Sequence, residues 1–396
     1  MLFIAHRMPF PPNKGDKIRS YNILQYLSAR YIVDVAFLVD NASDLIYLDQ
    51  IKSISAHVFY DVINKDKKIK SAITAFFNNT SISVPYFYSK NIQKSLDDYF
   101  DKKIPSCIFC FSSPSAEYVF NSRHYNQLQE NAALLMDLID LDSLKWSQYA
   151  ERANNIMAHV YHREAKLLAE YEEKIAQVFD GLFLVSEPEK QLCPPRVREK
   201  ITVVTNGVDL KKFAPGKGKA KKGDGPVVVF TGAMDYWPNI DAVTWFVKEI
   251  FPLILANEPS TTFFIVGANP TSEVLKLSKY KNVVVTGFVE DIRDYIAAAD
   301  VCVAPLRIAR GIQNKVLEAM AMGKAVVATA YATEGIAAES SLQVLIADTV
   351  DCFANAVLLL LQDENKREFL GRGARENMEL NYSWESNLAH LGHLLP

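Results

Sequence analysis

The sequence lacks three features, and each absence excludes a class of protein. No apolar run approaches the ~20 residues of a membrane-spanning helix, since the richest stretches, 296–306 and 357–361, are broken by Asp300 or end at Gln362. The five cysteines in 396 residues are odd in number and scattered, which argues against a disulfide scaffold. Lys and Arg (43) nearly balance Asp and Glu (46), which argues against a protein that coats nucleic acid.

The first residues do not have the pattern that we expect of a secretion signal. Its apolar stretch, residues 2–5, ends at His6 and Arg7 and is too short for a signal-peptide core. We therefore expect a cytoplasmic protein. Loose attachment to the inner membrane surface stays open, because a peripheral patch leaves little trace in a sequence.

The first half of the chain alternates short apolar runs with helical patterns. Strands are predicted over 2–5, 33–39, 107–111, 133–139, 181–185 and 201–205. A helix is predicted over 16–30, and a long helix or helix pair over 150–179. Continuous apolar strands between helices are typical of a parallel sheet covered on both faces. Residues 50–105 carry little of this pattern. Cys107 and Cys110 share one apolar strand, which favours core packing over redox chemistry.

A segment rich in Lys and Gly, 211–225, separates the two halves, and it predicts a flexible linker over 206–226. The rhythm then restarts, with strands predicted over 227–231, 262–266, 283–286, 301–304 and 325–329 and helices over 240–251, 291–299 and 315–322. The predicted fold class is α/β, with two doubly wound domains, 1–205 and 227–379. Two such domains facing each other would form a cleft lined by the carboxyl ends of both sheets.

The loop after the first strand, PFPPNKGDKIR, is one candidate site. Gly15 allows close approach of backbone to a ligand, and the helix that follows presents N–H groups to phosphate. Lys14, Lys17 and Arg19 add positive charge. The same residues are explained equally well by a Pro-rich turn before a capped helix, with Lys14, Lys17 and Arg19 exposed to solvent.

The segment IARGIQNKVLEAMAMGKAVVAT is a second candidate. Gly311 opens a loop, and Gln313, Asn314 and Lys315 occupy the first helical turn, where an anion would sit. Glu318 lies on the same helix face and can accept two hydrogen bonds from a ribose diol. The alternative is an ordinary amphipathic helix with a surface Lys–Glu pair. The Ala-Met-Ala-Met-Gly run after Glu318 favours burial instead.

Two shorter patterns are less specific. Asn206-Gly207-Val208-Asp209 indicates a turn before the linker. The loop of Gly287, Phe288 and Val289 follows a predicted strand and could present backbone groups to a nucleobase edge, although a strand end with a helix cap explains it on spacing alone.

These motifs resemble those of the retaining, family-4 type of GT-B glycosyltransferases. The resemblance rests on NGVD, GFV before a helix, and KVLEAMAMGKAVVAT. The longer blocks HRMPFPPNKGDKIRSYNIL, MDLIDLDSLKWSQYA, FLVSEPEK, VVFTGAMDYWPNIDAVTWF and APLRIARGIQNKVLEAM are similar to the sugar transferases associated with PEP-CTERM/exosortase systems of Gram-negative bacteria. The blocks span most of the chain.

The resemblance implies transfer of a sugar, in the manner of a hexosyltransferase, from a nucleotide-diphosphate sugar to an acceptor with retention of configuration. The domain 227–379 would bind the donor, and a final helix at about 380–396 would pack back on the first domain. Glu318 would bind the ribose, Gly287 to Val289 the base, and Gly15 the donor phosphate. The acceptor would be a glycan or lipid-linked sugar in exopolysaccharide synthesis, with no metal, cofactor or nucleic acid involved.

The sequence departs from the family pattern in two places. Arg310 stands where the family has the first Glu of its E-x7-E motif. The segment that begins at Gly232, where the family has an Arg and a Lys for the diphosphate, has no basic residue before Lys248. We hypothesise that the positive charge has moved to Arg307, Arg310 and Lys315. Cations there would hold the diphosphate, and Arg310 and Lys315 would stabilise charge on the leaving group.

A catalytic base is sought among Asp137, Asp140 and Asp142, which cluster at a predicted strand end. Asp140 is the first choice, because capping of the next helix explains Asp142 equally well. His6 and Arg7, at the end of the first strand, could also reach the cleft. Two alternatives to a transferase stay open. One is a GT-B nucleotide-sugar epimerase. The other is a catalytically silent GT-B module, which is favoured by Arg310 in place of the first Glu of the motif.

Overall fold

A computed structural model describes residues 1–63, 74–75, 80–153, 155–218, 225–309 and 311–395. The chain forms two compact units. The first unit comprises Met1–Val204 and Leu388–Pro396, and the second comprises Thr205–Asn387. No helix in these ranges is both long enough and apolar enough to cross a membrane.

The first unit is built on a seven-stranded parallel sheet in the order β3-β2-β1-β4-β5-β6-β7. Its strands are β1 (Leu2–Ala5), β2 (Asp34–Val39), β3 (Val58–Val62), β4 (Cys107–Phe111), β5 (Ala133–Ile139), β6 (Gly181–Leu184) and β7 (Ile201–Val203). The strand order reverses direction at β1. Right-handed crossovers on the two sides of this point put helices on both faces, which is why β1, β2 and β4 are buried throughout.

Ten helices of the first unit are described. They are α1 (Gly15–Ser28), α2 (Leu48–Lys52), α3 (Ser83–Tyr86), α4 (Lys90–Phe100), α5 (Glu117–Phe120), α6 (Tyr125–Asn131), α7 (Asp142–Arg152), α8 (Asn155–Val178), α9 (Glu187–Leu192) and α10 (Pro195–Arg198). Short 3-10 turns cover Ala42–Tyr47, Ser113–Ala116 and, in the carboxyl-terminal segment, His390–His393. One apolar cluster joins alternate strand residues, such as Leu2, Ile4 and Ile108, to helix residues, such as Leu96 and Ile175.

The second unit has a six-stranded parallel sheet in the order β10-β9-β8-β11-β12-β13. Its strands are β8 (Val227–Thr231), β9 (Thr262–Val266), β10 (Val283–Gly287), β11 (Val301–Ala304), β12 (Val326–Ala328) and β13 (Leu345–Ile346). Its helices are α11 (Trp237–Trp245), α12 (Phe251–Asn257), α13 (Ser272–Lys276), α14 (Ile292–Ala298), α15 (Asn314–Ala321), α16 (Ala330–Thr333), α17 (Val350–Gln362), α18 (Glu364–Asn381) and α19 (Trp384–Ala389), with a π-helical turn over Phe246–Ile250 and a 3-10 turn over Leu277–Lys279.

Both units are therefore doubly wound, Rossmann-like domains, and the predicted α/β class is confirmed. The apolar runs predicted the long buried strands almost to the residue. Strand β3 was missed, because its residues are half-buried or exposed and its apolar run is interrupted by Asp61. The long helix or helix pair predicted over 150–179 corresponds to α8 and the last residues of α7. Most of α7 lies before the predicted range, and the two helices pack against each other.

The segment predicted as a linker differs from the expectation in its described part. Val208 donates its N–H to the Tyr382 carbonyl at 2.8 Å and forms a bridge with Ser383, and Phe213 is buried, so this stretch packs within the second unit. Gly207 is required here, because a Cβ would lie 2.6 Å from the Trp384 nitrogen. The Asn-Gly pattern therefore marks a close backbone approach that no local signal could show.

Candidate functional site

The amino-terminal end of α15 carries the second candidate segment. Gly311 adopts a φ of 62°, a conformation that favours glycine, and turns the chain into the helix. Gln313, the N-cap residue, makes no side-chain cap, and its amide donates to the Gly311 carbonyl at 3.3 Å. Asn314 accepts a hydrogen bond from Asn206 at 3.1 Å. The hydrogen bonds of Gln313 and Asn314 thus hold the start of the helix, and in the described structure no side chain caps its first N–H groups.

Lys315 is anchored by a neutral partner. Its Nζ donates to the Asn239 amide oxygen at 2.8 Å and lies 5.0 Å from the centre of the Phe230 ring. Burial lowers the pKa of Lys315 to about 8, and the Glu318 carboxylate only partly opposes this. The ammonium is therefore a positive charge in a low-dielectric surrounding that an anionic ligand would stabilise.

The Glu318 carboxylate lies one turn along the same helix face. It is partly buried, and in the part of the chain that the structure describes it accepts no hydrogen bond. Burial raises the pKa of Glu318 to about 7, opposed by the charges of Lys212 and Lys315. A desolvated carboxylate without a donor can accept hydrogen bonds from the two hydroxyl groups of a diol.

Two residues of this site were missed by sequence reasoning. Asn239 holds Lys315, and Lys212, in the segment interpreted as a linker, places a second positive charge near Glu318. Gly232 serves Asn239, because a Cβ at that position would lie 2.7 Å from the Asn239 amide nitrogen. Pro238, in the first turn of α11, is the local signal that Asn239 lies near the start of a helix.

The charge-relocation hypothesis is not supported at Arg307. Its guanidinium forms a two-pronged ion pair with Asp241, with N–O distances of 3.0 and 2.5 Å, and lies 5.2 Å from the Trp245 ring centre. The fork geometry that suits phosphate is therefore occupied by a carboxylate. Arg310 lies outside the described residues. Of the three predicted cations, Lys315 is the one that lies beside Glu318 in the described structure.

The loop predicted to contact a base follows β10. Gly287 has a φ of 69° and open space where a Cβ would stand. The Phe288 side chain is 77% exposed, Val289 is half-buried, and Asp291 caps α14 through the Arg293 N–H. An exposed aromatic ring on a glycine turn can stack on a planar ligand. The interpretation of the loop as a strand end followed by a helix cap is also correct.

In the first unit, the loop after β1 leads into an ion-pair cluster. Gly15 is the first residue of α1, and Asp16 accepts from His6 Nε2 at 3.2 Å and pairs with Arg7 at 3.1 Å. The prediction that Lys17 contacts phosphate is not supported, because its Nζ is buried against the Asp44 carboxylate at 2.5 Å. The ammonium is already neutralised by that carboxylate.

Arg19 and Asp137 form an ion pair at 2.9 Å in which both side chains are 0% exposed. Arg19 also donates to the Val204 carbonyl at 2.8 Å. Asp137 is thus a structural residue, and Arg19 is not a phosphate contact as the loop motif suggested. Because burial raises the pKa of Asp137 and Arg19 opposes it, the two residues depend on each other.

Asp140 follows a strained turn. Ile139 has a φ of 69°, and the pairing of β5 with β6 shifts register between Asp137 and Ile139. Among the described residues the Asp140 carboxyl forms no hydrogen bond, and its Oδ1 is buried. Burial raises the pKa of Asp140 to about 6, against the pull of Lys145. Strained backbone next to an unpaired carboxyl is typical of functional sites.

Sequence reasoning allowed Asp142 to cap the helix that follows, but Asp142 is not the cap residue. Leu141 is the N-cap residue of α7, and the Asp142 carboxylate accepts from Ser113 at 3.3 Å and pairs with Lys145 at 2.5 Å. Asp140 is therefore the carboxyl group of this loop that remains available to a ligand.

Residues 225–363 match the family described as "Glycosyl transferases group 1". The second unit carries a group 1 glycosyltransferase domain. This match covers the elements from β8 to the end of α17, including Lys315 and Glu318.

Two curated proteins are similar to part of the chain. One is the GDP-mannose-dependent monoacylated alpha-(1-6)-phosphatidylinositol monomannoside mannosyltransferase of Corynebacterium glutamicum, 28% identical over 201 residues, which are 46% of this chain and 52% of that protein. The other is the UDP-Gal:alpha-D-GlcNAc-diphosphoundecaprenol alpha-1,3-galactosyltransferase of Escherichia coli, 28% identical over 159 residues, 36% of this chain and 40% of that protein. The chain thus spans about half or less of these relatives.

The fold is shared over the whole length with a solved glycosyltransferase structure. Sucrose-phosphate synthase from Thermosynechococcus elongatus superposes with a TM-score of 0.72 at 18% identity, covering 99% of this chain and 97% of that one. At this identity the likeness shows the fold, which is GT-B.

Proposed function

We propose that this protein is a retaining glycosyltransferase whose second unit binds a nucleotide-diphosphate sugar and whose first unit binds the acceptor. The observation that carries the proposal is the Glu318 carboxylate, partly buried and without a hydrogen-bond donor among the described residues, beside Lys315 at the start of α15.

The charges of this site fit a nucleoside diphosphate. A ribose diol offers two O–H donors to Glu318, and diphosphate oxygens offer negative charge to Lys315 and to the uncapped N–H groups of α15. Gly287 to Val289 supply the turn for a base, and Gly15 is assigned the approach to the donor phosphate. The two curated relatives are named for GDP and UDP donors, so a guanine or a uracil base is proposed.

For the chemistry, Arg310 and Lys315 are assigned to stabilise charge on the leaving diphosphate, and Asp140 to accept the proton of the acceptor hydroxyl. With a pKa of about 6, Asp140 is ionised at neutral pH and is basic enough to take part. No metal ion is included in this scheme.

The acceptor is proposed to be a glycan or a lipid-linked sugar. The names of both curated relatives contain a lipid-anchored acceptor, a phosphatidylinositol mannoside in one and a diphosphoundecaprenol in the other. We place the protein in the synthesis of an exopolysaccharide or its lipid-linked precursor, at the inner face of the membrane. The similarity to exosortase-associated sugar transferases supports this placement.

The test is a thermal-shift screen against UDP, GDP and their sugars, followed by turnover of the donors that bind. A ligand at 100 times its Kd raises the free energy of unfolding by ~2.7 kcal/mol. Glu318→Gln should reduce the shift by nucleosides as well as by nucleotides, while the surface control Glu364→Gln should keep both shifts at the wild-type size. An unchanged response of Glu318→Gln would contradict the donor site, and isomerised donor without acceptor would indicate an epimerase.

A further inference from the structure

Two buried polar atoms at the carboxyl edge of the first sheet lack partners. Among the described residues, neither His6 Nδ1 nor Arg7 Nε has a hydrogen-bond partner, and both atoms are buried. The His6 side chain is 5% exposed. Buried polar groups in folded proteins are almost always hydrogen-bonded, so two orphaned atoms on consecutive residues require an explanation.

The state of His6 is fixed by its neighbours. Burial by itself raises the pKa of Asp16, but the hydrogen bond from His6 and the charge of Arg7 hold that pKa well below its usual range, so Asp16 is an acceptor. His6 Nε2, at 3.2 Å from this carboxylate, must then carry the proton. Burial lowers the pKa of His6, against Asp16 and Asp142, so the ring is neutral and Nδ1 holds a free lone pair.

The two orphaned atoms therefore have opposite requirements. Nδ1 of neutral His6 can only accept a hydrogen bond, whereas Arg7 Nε–H can only donate one. An anion lacks the donor, and an ammonium group lacks the acceptor. A hydroxyl group has both, and a sugar ring presents several of them at fixed spacing.

Phe87 is the side chain that covers this pair. Its ring meets the His6 ring edge-on at 5.0 Å between centres, and the Arg7 guanidinium lies 5.2 Å from its centre. On the other face, His6 stacks on Phe111 at 6.0 Å. A rotation of Phe87 would open both orphaned atoms to a ligand while Phe111 and Asp16 keep His6 in place.

We propose that His6 Nδ1 and Arg7 Nε form a hydroxyl-binding subsite that orients a sugar ring of the acceptor in the first unit. This inference rests on the proposed function only in taking the bound sugar to be the acceptor. Asp140 keeps the role of proton acceptor, and His6 and Arg7 bind.

The tautomer and the binding are both testable on the full chain with labelled histidine. NMR of the ring nitrogens should find His6 protonated at Nε2 and bare at Nδ1. Titration with D-glucose, D-mannose, D-galactose and N-acetyl-D-glucosamine should move the His6 signals for at least one sugar. His57, whose Nδ1 lies 2.7 Å from Asp34 in an exposed His–Asp pair of the same unit, should not respond.

Variants then separate binding from folding. His6→Phe keeps the aromatic packing and removes both nitrogens, and Arg7→Lys keeps a charge beside Asp16 and removes Nε. Both should weaken sugar binding, followed by saturation-transfer NMR, by about three-fold or more. Asp40→Asn removes the second carboxylate near Arg7 but leaves both orphaned atoms, so it should bind like the wild type.

A protonated Nδ1 at His6, or His6 signals that respond to none of the four sugars, would overturn the inference and leave a bound water as the occupant. The thermal-shift response to nucleotide sugars distinguishes this from failure of the proposed function. His6→Phe should keep that response. A wild-type protein that binds no nucleotide sugar would contradict the donor site instead.

Discussion

Lys315 Nζ donates to the Asn239 amide oxygen at 2.8 Å, so the ammonium of the proposed donor site is held by a neutral group. An amide fixes the position of the charge without cancelling it. The nearby Glu318 carboxylate does not pair with Lys315 within salt-bridge distance in the described structure. This arrangement leaves the cation for a ligand and motivates the first prediction.

Asn239→Asp should weaken diphosphate binding by about ten-fold or more, because a carboxylate of the same shape would neutralise Lys315. Nucleoside binding should change little, since Glu318 is the residue proposed to bind the ribose. Calorimetry with UDP, GDP and the two nucleosides measures the difference. Asn257→Asp, at an exposed position on α12, is the matched control, and equal losses for nucleotide and nucleoside would contradict the role of Lys315.

Donor binding should have a pH optimum between about 7 and 8. The pKa of Glu318, raised by burial to about 7, makes the carboxylate available only above that pH, and the pKa of Lys315, lowered by burial to about 8, keeps the ammonium only below it. Affinity for a nucleoside diphosphate should fall on both sides. In Glu318→Gln the acid limb should disappear, and an optimum unchanged by that variant would refute the assignment.

Removing the Glu318 charge should also stabilise the fold above neutral pH. The folded pKa lies above the unfolded value, so ionisation of this carboxyl costs stability as pH rises from about 4.5 to about 7. Glu318→Gln should therefore unfold at a higher temperature than the wild type at pH 8, with the difference shrinking at pH 5. Scanning calorimetry at the two pH values provides the comparison.

Asp140→Asn should reduce transfer by about 10²-fold or more with little change in donor affinity, since a general base acts on the acceptor. In the wild type, kcat should fall as pH drops through about 6, where Asp140 becomes protonated. Asp142→Asn is the control, because Asp142 is engaged by Ser113 and Lys145. If Asp140→Asn retains the acid limb, the base lies elsewhere.

The Arg19–Asp137 pair should behave as a structural unit. Arg19→Met leaves a buried carboxylate alone and should cost ~3–5 kcal/mol in the free energy of unfolding, measured by urea denaturation. Arg19→Met/Asp137→Leu should recover much of that loss. Removing the exposed Arg123, which pairs with Asp98 and Asp101, should cost under ~1 kcal/mol. A double variant no better than Arg19→Met alone would contradict the pairing.

The sequence by itself determined the two parallel sheets, because runs such as 227–230 and Cys107–Phe111 are apolar at every position and only a doubly covered strand can bury both faces. It also determined the helix that carries Lys315 and Glu318, since Gly311 and the apolar face of α15 are local signals. Asp140 was chosen from a cluster of three aspartates, and the strained turn at Ile139 now explains why it differs from the others.

Only the tertiary structure decided which charges are free. Lys17, Arg19 and Arg307 are as basic in the sequence as Lys315, but Asp44, Asp137 and Asp241 neutralise them from positions far along the chain. Asn239 and Lys212 gave no sign of belonging to the site, because their partners lie on other elements. Residue type fixes what a side chain can do, whereas long-range packing fixes whether its charge has already found a partner.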